Sequence, residues 1–299
     1  MGPLIRKYVR IETVAGLVIA WLAAALGLGL ATGAGAVATA ALMALGLLLG
    51  GLLLLIRHSL DLASRIGNLA TESTRTLDTV RRVESDTQRE MKQTFRQLEA
   101  LQNLNALLPA SEVLPATRGW AASPDLLLVL VDLVITGRPS LVVECGSGAS
   151  TLWLALAMRK FKIDGRIIAL DHDPVFGGKT RDLLARHDVG DLAEVRDAPL
   201  ESCDLAGETY SWYGKRAWED LTGIDLLFVD GPPAATGPQA RYPALPLLSG
   251  SLSPAATVVL DDLVVPDMQK VLRLWLDAYP DFTAEVLPLE KQAAVLHKS

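Results

Sequence analysis

LVVECGSGAST, residues Leu141 to Thr151, decides the fold. The apolar run Leu141-Val142-Val143 ends in an acid and a glycine-broken turn, after which Ser150 and Thr151 open a helical pattern, LWLALAMRK. Strand, tight loop and helix in that order place the turn at the carboxyl end of a central parallel strand. There glycines let a ligand approach bare backbone amides and a helix N-terminus. Gly146-x-Gly148-x-x-Thr151 lacks the third glycine of a dinucleotide fingerprint, and Glu144 stands just ahead of the first. An acid so placed suits a cationic ligand better than a pyrophosphate. The competing reading is a turn that only packs.

The chain after this turn keeps alternating strand and helix, the pattern of a doubly wound sheet. Arg166 to Leu170 is a second strand ending in Asp171-His172-Asp173-Pro174. Its position is close to the interval of about 20 residues at which a strand-end acid of this fold takes ribose hydroxyls. Asp171 directly follows the strand, while Asp173 is placed to cap the next helix. Ala193 to Arg196 is a third strand, and Asp197 at its end either accepts an adenine amino hydrogen or is a solvated loop acid. The fourth, Ile224 to Val229, finishes at Asp230-Gly231-Pro232-Pro233, and the fifth, Ala256 to Leu260, at Asp261-Asp262. Three carboxylates at one rim repel unless something positive sits among them, and a divalent cation with oxygen ligands is the simple answer. Otherwise Asp230 holds a loop amide and Asp261 caps the helix that begins near Pro266.

Upstream the character changes. Val14 to Ala31 and Ala36 to Ile56 carry no charge, and each is long enough to cross a hydrocarbon core. Thr32-Gly33-Ala34-Gly35 permits a tight hairpin between them. Arg6, Lys7 and Arg10 precede the first span and Arg57, His58 and Arg65 follow the second, so both termini and the large domain belong on the cytoplasmic side of the plasma membrane. A cleaved signal peptide is the alternative, but a second span follows at once. From His58 to Leu108 the composition turns polar and helical. Ile66, Leu69, Leu77, Val80, Val83, Met91, Leu98, Leu101 and Leu104 form a broken seam suited to a homo-oligomeric stalk, to packing on its own domain, or to a solvated spacer. The expected domains are a hairpin over 1–57, a stalk over 58–108, a linker over 109–122 and an α/β domain over 123–299, where Ser123-Pro124-Asp125 is a helix start.

The net charge of -6 offers no basic stripe for nucleic acid, and two cysteines, Cys145 and Cys203, form neither a disulfide framework nor a metal-thiolate spacing. Between Asp197 and Ile224 lies an aromatic insertion with Tyr210, Trp212, Tyr213 and Trp218, beside Lys215 and Arg216. It serves either as a face for a sugar or as packing onto the core.

LVVECGSGAST, strand-end Asp171, Asp197, FVDGPP and LDD, in that order, resemble the successive motifs of class I S-adenosylmethionine-dependent methyltransferases over residues 120–299. VDG followed by a strand ending in DD is similar to the metal-dependent O-methyltransferases of the catechol and macrocin types. The resemblance implies a Rossmann-like seven-stranded sheet ordered 3-2-1-4-5-7-6, with Phe282 to Leu287 and Ala293 to His297 as its antiparallel end pair. It implies that Glu144, Gly146, Ser147, Gly148, Ser150 and Thr151 surround the methionine part of S-adenosylmethionine, Asp171 and His172 the ribose, and Asp197 and Ala198 the adenine, with Asp230 alongside. Asp230, Asp261 and Asp262 become magnesium ligands, and the acceptor a hydroxyl of a glycan, a lipid-linked intermediate or a small molecule. The catechol-type base lysine is missing, since Pro233 stands there. That leaves His172, Lys215, Arg241 and Tyr242 as catalytic candidates, and keeps open a metal-independent methyltransferase of small molecules, in which the three acids only order loops, and a non-catalytic membrane scaffold.

Overall fold

A computed structural model describes residues 11–33, 35–108, 110 and 112–298. Arg6, Lys7 and Arg10, Ala34 of the hairpin turn, and Pro109 and Ser111 of the linker lie outside them. The chain divides into two compact units, Met1–Gln88 and Arg89–Ser299.

Nine strands and seven α-helices make up the described residues. The α/β unit is built around β1 (Leu141–Cys145), buried at every position as expected of a strand covered on both faces. β2 (Arg166–Asp171) and β3 (Ala193–Asp197) extend the sheet on one side, and β6 (Ile224–Val229) and β7 (Leu252–Leu260) on the other. All of these pair in parallel. The last two, β8 (Phe282–Leu287) and β9 (Ala293–Lys298), return antiparallel, giving the order β3-β2-β1-β6-β7-β9-β8. β4 (Leu200–Leu205) and β5 (Glu208–Tyr213) form a separate hairpin. With the hairpin left out of the count, the order is the expected 3-2-1-4-5-7-6.

The hairpin is what the sequence reading missed. Alternation along Leu200 to Leu205 is weak, half of its positions being charged or hydroxylated, and the turn Ala206-Gly207 carries positive φ at both residues (52° and 84°). Such a two-residue turn is the hairpin signal.

Residues of alternate parity on β1 face two cores. Val142 packs with α3 (Pro124–Gly137), α4 (Ala149–Phe161) and α5 (Pro174–Arg186). Val143 and Cys145 pack with the hairpin, with α6 (Ala244–Leu248) and with α7 (Pro266–Ala278). Asp173 caps α5 at Pro174, as its place after the strand suggests, by accepting from the amides of Val175 and Phe176.

The first helices, α1 (Ile11–Thr32) and α2 (Ala36–Leu107), are both long and apolar enough to cross a membrane. In the first unit they pack through small residues: Gly46 lies against Trp21 and Gly50 against Val18, and the Trp21 indole donates to the Leu42 carbonyl at 2.8 Å. The second span and the stalk are one continuous 72-residue helix. The helix ends at Leu107, one residue short of the expected boundary. Its final turns belong to the α/β unit, where Gln97, Ala100, Leu104 and Leu108 are buried and the Gln97 side chain accepts from the Asp125 amide at 3.2 Å. Ile66, Leu69, Leu77, Val80, Val83, Met91 and Leu98 of the seam are exposed.

Leu104 is fully buried and Leu77 is 55% exposed. Leu104→Ala is expected to destabilise the α/β unit by about 3 kcal/mol in urea unfolding followed by tryptophan fluorescence. Leu77→Ala should change it by less than about 0.5 kcal/mol. Equal effects would mean that the helix end is not part of the unit's core.

Candidate active site

Register alone assembles the rim. Cys145 pairs with Leu170 on one side and Val229 on the other, and Val229 pairs with Leu260. One residue on, Asp197, Asp171, Gly146, Asp230 and Asp261 therefore stand in a row across five parallel strands, with Asp171 and Asp197 themselves paired. This is the edge at which open α/β sheets bind ligands.

The loop beside the row is held by hydroxyls. Gly146 (φ 109°) and Gly148 (φ 154°) adopt backbone that favours glycine, and a Cβ on Gly148 would meet nothing within 4 Å. Open space thus lies in front of the turn. The Ser147 hydroxyl meets the Asp171 carboxylate and, at 3.0 Å, the Thr180 hydroxyl. The other Asp171 oxygen accepts from the Asp173 amide at 3.0 Å. Glu144 has a different place from the one expected. Its parity turns it to the α4 face, where it is buried and accepts from Ser150 and, at 2.6 Å, from Thr151. It ties β1 to the first turn of α4 instead of opening toward a ligand. Ser150 and Thr151 are spent on that tie. Ala198 is fully buried, its amide donating to the Asp171 carbonyl at 2.7 Å, and Asp197 is an exposed acid that pairs with Arg181 at 3.1 Å.

Residues 143–263 match a family described as "Methyltransferase domain". The chain carries a methyltransferase domain, and its sheet order is the one expected of the class I fold. Similar solved structures include an O-methyltransferase from Bacillus cereus in complex with SAH, 20% identical, covering 68% of this chain and 90% of its own with a TM-score of 0.46. Another is the O-methyltransferase of tomaymycin synthesis from Streptomyces achromogenes in complex with SAM, also 20% identical, covering 67% and 90% with a TM-score of 0.46. A methyltransferase from Geobacter sulfurreducens is 18% identical and covers 62% and 82% with a TM-score of 0.45. No curated protein matches the chain by sequence.

The methyltransferase domain brings Asp230, Asp261 and Asp262 together, with an oxygen of each within 4.8 Å of the others. A guanidinium lies among them. Arg241 Nη2 is 3.1 Å from Asp230 Oδ1 and 2.7 Å from Asp262 Oδ2, and its Nη1 donates to the Asp261 carbonyl at 3.1 Å. Lys291 Nζ stands 3.5 Å from the other Asp262 oxygen. Burial opposes the Arg241 charge, but Asp230, Asp262 and Asp261 outweigh it and its pKa is raised. Burial, then the neighbouring acids, pushes Asp261 upward, and burial pushes Asp230 upward against Arg241. Asp261 does not cap α7, whose N-cap is Val265 with no side-chain hydrogen bond, and its Oδ2 is buried without a hydrogen-bond partner. As magnesium ligands the three acids fit poorly, because an ion bound by all of them would compete with Arg241 for Asp230 and Asp262.

Of the other catalytic candidates, His172 is at the rim, with Nδ1 3.9 Å from Asp171 Oδ1 and 30% of its side chain exposed. Lys215 is exposed on the short 3-10 turn Lys215–Ala217. Tyr242 is a packing residue, buried with its ring 5.2 Å from Tyr210 and its carbonyl accepting from the Trp275 indole. The aromatic insertion also packs: Trp212 is 1% exposed, and the Trp218 indole donates to the Tyr213 carbonyl at 3.0 Å. Tyr213 was not singled out for catalysis, yet its buried hydroxyl has no partner and lies against Gly231, directly after Asp230. Burial above all, then Cys145 and Asp171, raises its pKa well above the ordinary value, so it stays a donor. Only a known hairpin register would have pointed to it.

Burial raises Glu144 from 4.5 to about 7 against the opposing effect of its two hydroxyl partners. The folded state therefore holds a proton that the unfolded chain releases, and this carboxyl costs stability as pH rises from about 4.5 through 7. A shift of that size corresponds to about 3 kcal/mol. Glu144→Gln should gain on the native protein by up to that amount between pH 5 and pH 8 in urea unfolding. A difference that stays flat or reverses across that range would contradict the assignment.

Proposed function

We propose that the chain is a membrane-tethered O-methyltransferase that passes the methyl group of S-adenosylmethionine to a hydroxyl of a glycan or lipid-linked intermediate at the cytoplasmic face of the plasma membrane. The observation that carries this reading is the row of strand-end acids beside the open glycine turn, with a guanidinium among them. The cofactor would supply an activated methyl on a positive sulfur. Acids at the same level of the sheet favour that charge, and they offer acceptors for the hydroxyls of a sugar-like acceptor. The reaction is in-line displacement: the acceptor oxygen bonds the methyl carbon as the carbon–sulfur bond breaks, the sulfonium leaves as a neutral thioether, and the hydroxyl proton passes to water. The domain's part is alignment of the reacting atoms. Gly146 and Gly148 admit the cofactor, and Ser147 and Asp171 stand where its ribose would lie.

The tether rests on the two apolar helices, joined by the short segment around Gly33 and packed through Gly46 and Gly50. Arg57, His58 and Arg65 follow the second span, which favours the cytoplasmic side for what comes after. Tethering raises the local concentration of a membrane-bound acceptor without any new contact to it.

The test is transfer of tritium from labelled S-adenosylmethionine by the full chain in nanodiscs, offered lipid-linked glycans and soluble sugars. Label is expected in an ether at a sugar hydroxyl, falling at least about tenfold with Gly148→Val, whose side chain enters the open space and whose backbone is strained. Cofactor binding without transfer to any hydroxyl would contradict the enzyme reading and favour a scaffold. Removal of the domain by protease outside intact cells would contradict the orientation.

A further inference from the structure

We infer that Arg241 is the resident cation of the acidic rim, standing in the role a divalent metal would take, so that this methyltransferase works without one. The arginine is built into the fold. Its segment is pinned from α7: the Gln239 amide donates to Asp267 Oδ2 at 2.6 Å, the Gln239 side chain donates to Asp267 Oδ1 at 2.8 Å, and Lys270 donates to the Gln239 side-chain oxygen at 3.2 Å. On the other side of Arg241, the Trp275 indole holds the Tyr242 carbonyl at 2.8 Å. Ala240 and Tyr242, its two neighbours, are both buried. A side chain anchored on both flanks brings its fork to the acids already oriented.

The fork uses separate N–H groups on separate partners. Nη2 faces Asp230 and Asp262, and Nη1 the Asp261 backbone. A guanidinium holds carboxylates at about 3 Å from its nitrogens, whereas magnesium would draw every ligand oxygen to about 2 Å from one point. With Lys291 against the second Asp262 oxygen, two protein cations pair Asp230 and Asp262 and lie beside Asp261, whose carboxyl makes no ion pair of its own among the described residues. The repulsion that pointed to a metal in the sequence is thus answered from within the chain. Truncating Arg241 would leave the part-buried Asp230 without its cation and Asp262 with Lys291 alone, a state that an added divalent ion can relieve.

Manganese(II) added to the full chain in nanodiscs, with free ion counted by electron paramagnetic resonance, tests the inference without requiring turnover. The native chain should take up no manganese with a Kd below about 100 μM, and chelator should change its methyl transfer by less than about twofold. Arg241→Gln should bind one ion per chain at least about tenfold more tightly than the native chain. Uptake of one ion per chain by the native protein, abolished in Asp261→Asn, would overturn the inference. So would an Arg241→Gln chain that folds and binds no more manganese than the native one. Should the glutamine variant fail to fold, the native measurement alone decides. Arg241→Lys, which keeps the charge, is then expected to exclude the ion as well. The binding experiment rests on no assumption about the acceptor, so a failed acceptor screen and a failed metal result are distinguishable.

Discussion

Parallel register is the constraint on which the rest depends. Once Cys145, Leu170, Val229 and Leu260 are locked side by side by backbone hydrogen bonds, the residue after each has no freedom of level. Gly146, Asp171, Asp230 and Asp261 must then line one edge. A slip of one residue in any pair would turn buried side chains to the opposite face as well as misplace its acid, so core packing and site geometry are enforced together. Glu144 reinforces the arrangement from beneath. By taking the hydroxyls of Ser150 and Thr151 it fixes the angle at which α4 leaves the glycine turn, at the cost of a buried acid that is easier to keep protonated than charged.

Charge at the edge is balanced locally. Carboxylates gathered by topology would oppose folding if left alone, and the segment at Gln239 to Tyr242 brings Arg241 to them from a region with no strand of its own. A guanidinium is better suited than an ammonium to this place, because its planar fork reaches acids in two directions and sheds hydration more readily. The same burial that raises Asp230 and Asp261 makes the arrangement intolerant of losing one partner.

Much of this was legible in the sequence, for reasons that can be named. Buried parallel strands are continuous apolar runs, so Ile224–Val229 could be bounded to the residue, whereas Phe282–Leu287, a half-exposed antiparallel edge, was placed by the family resemblance. Acids directly after such runs are conspicuous, which is why Asp171, Asp230 and Asp261 were recognisable as a group. Glu144 was misjudged because side-chain direction depends on strand parity and on what the next helix offers, neither of which a motif displays. The β4–β5 hairpin escaped because its strands are exposed or part-exposed over most of their length and carry no continuous apolar run. Arg241 stood among several candidates, since nothing local in GPQARYPALPLL shows that α7 will carry it to the acids. Packing of the stalk's end on its own domain stood as one of three readings, because the burial of Leu104 and Leu108 is a tertiary fact with no mark in the helix itself.

The long helix and the methyltransferase domain therefore overlap in sequence, and any experiment on the domain has to keep residues from Arg89 onward. The most direct test of the account is isothermal titration of S-adenosylmethionine into the full chain in nanodiscs, carried out in chelator. The account predicts saturable binding of one cofactor per chain, weakened at least about tenfold by Asp171→Ala. A folded chain that takes up no cofactor under these conditions would contradict it.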